Sequence, residues 1–252
     1  MGTPRIVQGD ERLAYTAGST AEVVAPLGTK LVIEDGRTFR MAQCDTSTAL
    51  VNANTVTSPA PSANFRDEDV GTMAAGVRVL TAVGSTTGGI VDGALRGGYL
   101  TVKDTAQLDP IHRIKTNTAI VETSDRGTIT LESDLQDAIA SGEKITYIPS
   151  PWRQIIIAPT QPAALILGVT VRAMAVDVYS WIATSGPARV LEDGVLIVGQ
   201  GAQASDNVAG SVEDWAPESD TGNEVEAMFV GTVMVIEGDT VKGLIYLKLD
   251  SN

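Results

Sequence analysis

Apolar and polar residues alternate in short runs along most of the chain, and Gly, Pro or Asp interrupts each run after a few positions. A period of two with frequent breakers predicts short, half-buried β-strands. Residues 31–34 and 37–41 flank Asp35-Gly36, a dipeptide suited to the positive φ of a type I′ hairpin turn. Alternation there puts Leu31 and Ile33 on one face, with Phe39 and Met41 able to meet them across the pair. A second hairpin is predicted from residues 188–191 and 195–198 around Glu192-Asp193-Gly194. A third comes from 233–236 and 241–249 around Glu237-Gly238-Asp239. Further strands are predicted over 77–83, 98–103, 111–115, 119–122, 128–131, 145–148 and 154–157. Helical signal is confined to 134–140, with Ser133 as N-cap and Gly142 as the stop. The Met-Ala stretch at 172–176 is flanked by Val169, Val171, Val176 and Val178, which favour extended chain.

This pattern predicts an all-β fold of short-stranded sandwich or barrel units with an extended N-terminal segment or arm. An α/β alternative would need a helix after each strand, and the sequence has none. Residues 52–64, rich in Thr, Ser, Ala, Asn and Pro, read as a linker or surface arm. Pro149-Ser150-Pro151 marks a second crossing. The expected organisation is therefore an N-terminal hairpin segment with its arm over 1–64, a middle β domain over 65–150 and a C-terminal β domain over 151–252. The first and third are free to pack into one sheet system.

Composition narrows the partners. The 252 residues are 43% apolar, enough to fill a core, so a wholly disordered chain is excluded. Eighteen basic against 31 acidic residues give a net charge of −13. That charge repels nucleic acid and anionic membranes over most of the surface. One cysteine, Cys44, rules out an intramolecular disulfide and a multi-cysteine zinc site, and one histidine, His112, rules out any site needing two imidazoles. No apolar run reaches the ~18 residues of a membrane span.

Motifs with chemistry are few. Residues 199–204 match G-x-G-x-x-A, but no helix-forming sequence follows to face a pyrophosphate. Ser141-Gly142-Glu143-Lys144 matches S-x-x-K without its companion motifs. Two acidic clusters stand out: Asp67-Glu68-Asp69, and Glu213-Asp214 with Glu218, Asp220, Asn223, Glu224 and Glu226. Paired carboxylates serve glycoside hydrolysis, and loop carboxylates with Asn can hold calcium; neither cluster has the order of an EF-hand. No catalytic, metal-binding or cofactor-binding residue is assigned. With 4% aromatic residues, stacking platforms for sugars or bases are absent from the pattern, and Trp152, Trp181 and Trp215 read as core or interface anchors.

Several ordered segments resemble head decoration (cement) proteins of tailed bacteriophages, the type common in marine and cyanobacterial phages. These are Pro4-Arg5-Ile6-Val7 with Gly9-Asp10-Glu11-Arg12, then Asp35-Gly36-Arg37-Thr38-Phe39-Arg40 and Thr48-Ala49-Leu50-Val51. The middle of the chain adds Gly97-Gly98-Tyr99-Leu100-Thr101-Val102, Arg113-Ile114-Lys115 and Gly127-Thr128-Ile129-Thr130-Leu131. The C-terminal part adds Tyr179-Ser180-Trp181-Ile182 and Thr184-Ser185-Gly186-Pro187-Ala188. Residues 104–110 depart from the pattern, standing where a glycine-rich turn is expected. The resemblance implies a non-catalytic virion protein, made in the host cytoplasm, that sits on the capsid surface and binds the major capsid protein. It also implies a homotrimer near the capsid three-fold axes, with no cofactor, nucleic acid or membrane partner. Tyr179, Trp181 and Trp215 are the expected subunit-contact residues. The competing expectations are a tail or fibre component that binds a host receptor and, behind it, a β-fold glycan hydrolase using the carboxylates of 213–226.

Overall fold

The computed structural model describes residues 6–16, 18–20, 25–60, 62, 65–84, 89–103, 111–121, 126–161, 163–215 and 228–250. The chain is all-β, and its one helix among the described residues is a single turn, α1 (Glu11–Ala14), capped by the Asp10 carboxylate, which accepts from Leu13 N–H. Two compact units are present. Unit 1 combines Met1–Ala60 with Pro151–Asn252, and unit 2 is Pro61–Ser150. The first and third segments of the sequence reading therefore form one unit, interrupted by the second.

Unit 1 begins with β1 (Ile6–Gln8), β2 (Lys30–Val32), β3 (Thr38–Gln43) and β4 (Thr55–Thr57). Unit 2 supplies β5 (Glu68–Asp69), β6 (Val79–Val83), β7 (Tyr99–Lys103), β8 (His112–Asn117), β9 (Gly127–Leu131) and β10 (Lys144–Ile148). Unit 1 resumes with β11 (Ile156–Ile157), β12 (Ile166–Thr170), β13 (Tyr179–Glu192), β14 (Gly201–Ala204), β15 (Ser211–Asp214), β16 (Phe229–Val235) and β17 (Lys242–Lys248).

The long strand β13 belongs to two hydrogen-bonding systems. Its first half lies between β3 and β12, with Trp181 opposite Met41 and Val169 opposite Ala183. Its second half pairs with β17 on one side and β15 on the other. Because β15 pairs with β14, β14 with β16 and β16 with β17, the ring closes into a five-stranded barrel. Inward alternation fills it with Val190, Ala202, Val212, Val233, Ile245 and Leu247, all buried. Closure leaves no free edge in this ring. The strand changes partners at Ser185-Gly186-Pro187. Gly186 has φ +89°, and a Cβ there would lie 2.8 Å from Arg37 Cγ, so the bend requires glycine. Alongside it, Arg40 makes a two-pronged bond to Asp250 (2.9 and 3.0 Å), tying the end of the chain to β3. Burial alone would raise the Asp250 carboxyl; the bonds and charge of Arg40, with the Lys30 charge and the Thr184 hydroxyl, together outweigh it and hold the group below the usual carboxylate range.

In unit 2 the strand order is β5-β10-β7-β8-β9-β6, antiparallel throughout. The two outer strands meet through Gly84 N–H to Asp69 O (2.9 Å) and Gly71 N–H to Thr81 O (3.1 Å), so the sheet curls toward a second barrel. Leu80, Leu100, Ile114, Ile129, Leu131 and Ile145 fill it, and the buried Tyr147 donates its hydroxyl proton to Gly84 O at 2.9 Å.

Several sequence expectations are corrected. The turn at 33–37 is not type I′. Gly36 N–H bonds Ile33 O at 3.0 Å and only Gly36 has positive φ (+86°), which is the three-residue loop with an αL glycine. The hairpin over 188–198 does not form, since residues 188–191 are already paired with β17; the hairpin over 233–249 does, as β16 and β17. Residues 134–140 are not helical. Leu135 and Ile139 are spaced like a helix face, but their backbone groups bond Val77 and Met73. Residues 53–58 are buried, and β4 lies between β11 and β12, so this part of the proposed arm is core. Of the strand expected over 119–122, Ile120 forms one isolated bridge to Ile90, and residue 122 lies outside the described residues. Residues 104–110 lie outside the described residues.

Two outcomes are expected. Gly186→Ala destabilises unit 1 by about 1–3 kcal/mol, read as a lower denaturant midpoint; an unchanged midpoint contradicts the role of the bend. Because Thr57 and Ile156 are antiparallel partners, the chain leaves and re-enters unit 1 on neighbouring strands. Replacing residues 61–150 by a short Gly-Ser linker therefore leaves unit 1 with a cooperative unfolding transition. Loss of that transition contradicts the two-unit reading.

Candidate interaction surface

At one end of the five-stranded barrel, β13 runs out at Glu192, β16 at Val235 and β15 at Asp214, while β14 and β17 begin. The residues 193–200 cross this end. Leu196 turns inward and is buried in the barrel core, acting as its stopper. Its neighbours face outward: Val195 is 84% exposed, with Ile197 and Val198 also exposed. Gly199 N–H bonds Val233 O, Val233 N–H bonds Gln200 O, and Gly194 N–H bonds the Asp239 carboxylate at 3.0 Å. The segment therefore lies along 233–239, where Met234, Val235 and, just beyond, Val241 are exposed as well. Six exposed apolar side chains thus stand on the two segments that meet at this end of the barrel, a local concentration of the kind that marks interaction surfaces.

A buried carboxylate fixes this surface from below. Glu192 is fully buried, and its Oε2 accepts from the backbone N–H groups of Glu237 (3.2 Å) and Gly238 (2.9 Å). The β16–β17 turn is thus held by two backbone N–H bonds to one buried side-chain oxygen. Gly243 makes room: a Cβ there would fall 1.7 Å from Glu192 Oε1.

The aromatic residues expected at contacts are not brought together. Trp215 is 40% exposed at the patch end of β15, edge-on to Phe229 with ring centroids 4.7 Å apart. Tyr179 is half-buried at the opposite end of β13, opposite Gln43. Trp181 is only 2% exposed and belongs to the unit 1 core, so it has no surface to offer a neighbouring subunit. Sequence reasoning missed Val195, Ile197 and Val198 because they looked like a hairpin strand. The available signal was a run of apolar residues after Gly194 with no polar alternation.

The groups singled out for chemistry are dispersed or already paired. Lys103 bonds Asp67 at 2.8 Å, Lys144 and Arg126 both pair with Asp69, and Glu68 is buried. The Lys144 bond, ahead of its charge and that of Arg126, holds the Asp69 carboxyl below its usual range. In the second cluster Gln203 donates to Glu213 at 2.9 Å, and Glu218, Asp220, Asn223, Glu224 and Glu226 lie outside the described residues. Among the described residues no three His, Cys, Asp or Glu side chains converge as metal ligands. Residues 201–204 are the strand β14, not the opening of a helix. Unit 2 carries an open cleft of about 340 Å³ lined by Phe65, Arg66, Thr101, Lys103 and Thr146.

His112 is buried in β8, and burial pushes its imidazole below the ordinary 6.5. The unfolded chain therefore takes up a proton near pH 6.5 that the folded one refuses. Stability is constant above that pH and falls as pH drops through 6.5 toward the lower folded value, by at most about 1.4 kcal/mol per pH unit. The lowered carboxyls of Asp69 and Asp250 lose their contribution at lower pH, as it falls through their ordinary 3.8 and beyond. Thermal unfolding between pH 7.5 and 5 is expected to show this decline, and His112→Leu to flatten it. A wild-type melting temperature that is constant across the window contradicts it. Comparison of the chain with family models, curated proteins and solved structures returned no match.

Proposed function

We propose that this chain is a head decoration protein of a tailed bacteriophage, which binds the outer capsid surface and stabilises the head without catalysing a reaction. The observation that carries the reading is the apolar end of the unit 1 barrel, with Val195, Ile197, Val198, Met234, Val235 and Val241 exposed on a chain of net charge −13. An apolar surface of this kind supports association with another protein. The resemblance of its strand and turn segments to decoration proteins suggests the kind of partner, the major capsid protein, and a homotrimer on the virion. Negative charge favours approach to basic shell surfaces and keeps free copies apart before assembly. The mechanism is burial of apolar area between protein and shell, adding to the head's resistance to internal DNA pressure.

Purified protein mixed with expanded heads that lack it is expected to co-sediment with them and to raise the temperature at which they release DNA. No co-sedimentation, together with specific binding to isolated tails or turnover of a polysaccharide, contradicts the proposal.

A further inference from the structure

We infer that the barrel end formed by residues 193–200 and 233–241 is the face that seats on the shell, and that its occupant is a protein surface with an apolar centre and a lysine- or arginine-rich rim. This inference rests on the decoration reading and specifies the partner's chemistry. It follows first from shape. Leu196 inside the barrel and the Glu192 bonds to Glu237 and Gly238 N–H fix the two segments that present the patch. Little ordering is then needed on binding, which favours a preformed contact over a folding one.

The choice of occupant follows from charge. Asp193, Asp214, Glu237 and Asp239 stand around the patch, against Arg189 and Lys242. Arg189 pairs with Glu237 at 3.6 Å. Lys242 Nζ is bonded to Asn52 Oδ1 at 2.6 Å. Asp193 and Asp239 take bonds from neutral groups, the Ser205 hydroxyl and the Gly194 N–H, and outnumber Lys242, whose partner Asn52 is equally neutral, so the border keeps a net negative charge. A second copy docked through the same face would set these carboxylates against their own kind. A basic rim around an apolar knob answers them.

The test uses the full chain and expanded heads lacking it. Val195→Asp with Ile197→Asp is expected to weaken head binding about 100-fold or more. Val195→Ser with Ile197→Ser is the milder version, should the charged pair impair folding. Arg66→Ala, in unit 2, is expected to bind as wild type does. Raising salt from about 50 to about 500 mM is expected to weaken wild-type binding several-fold. Variants that bind heads normally overturn the inference and leave the decoration reading standing. Wild-type protein that ignores heads overturns that reading and the inference with it. Variants that turn an oligomer into a monomer by light scattering assign the face to a second copy, and salt-independent binding removes the basic rim; either result also overturns the inference.

Discussion

Unit 1 depends on β13 being shared between two sheets. Every backbone N–H and C=O buried in this strand needs a partner, and the strand finds them in four others: β3 and β12 before the bend, β17 and β15 after it. The bend at Gly186-Pro187 is what allows one continuous strand to leave a layered sheet and close a barrel. Thr184, fully buried just before the bend, shares a hydrogen bond with the Thr38 hydroxyl at 3.0 Å, so even the polar atoms of the crossing are matched. Asp250 then locks the end of the chain against Arg40 on β3. Segments far apart in sequence are bound into one body by this arrangement, and the intervening 90 or so residues fold on their own core.

Much of the fold was legible in the sequence because alternation reports one thing directly, which side of a strand faces a core. The hairpins expected over 31–41 and 233–249 both form, with registers (Leu31 opposite Phe39, Val233 opposite Ile245) that the actual turns set and the dipeptide signals did not. The misreadings share a cause, which is competition for backbone partners that local sequence does not record. Residues 188–191 have a good turn beside them, yet β17 takes their hydrogen bonds. Leu135 and Ile139 carry helical spacing, yet Leu135 N–H donates to Val77 O, its carbonyl accepts from Gly76 N–H, and Ile139 exchanges both bonds with Met73. The Thr- and Asn-rich stretch at 52–58 looks solvated, but Thr55, Thr57 and Asn54 are buried among strands that cover both their faces.

The candidate surface was less legible than the fold. Whether a valine faces a core or a partner depends on closure, and closure joins residues 191 and 242 or 202 and 231, which no local pattern links. Trp181 illustrates the converse. A large amphipathic ring suits an interface, but a ring in the first half of β13 is enclosed by the layers on either side of it. The acidic clusters were visible as charge, while their neutralisation by Lys103, Lys144 and Arg126 required strands to meet. What emerges is a protein whose acidic pair Asp67 and Asp69 is neutralised within the fold and whose conspicuous outward feature is an apolar barrel end with an acidic border.

The most direct test of this account is a three-dimensional electron-microscopy reconstruction of heads carrying the protein. The account predicts density for the five-stranded barrel on the outer shell, with residues 193–200 and 233–241 against capsid protein. Density confined to the tail, or a barrel whose apolar end points into solvent, would contradict it.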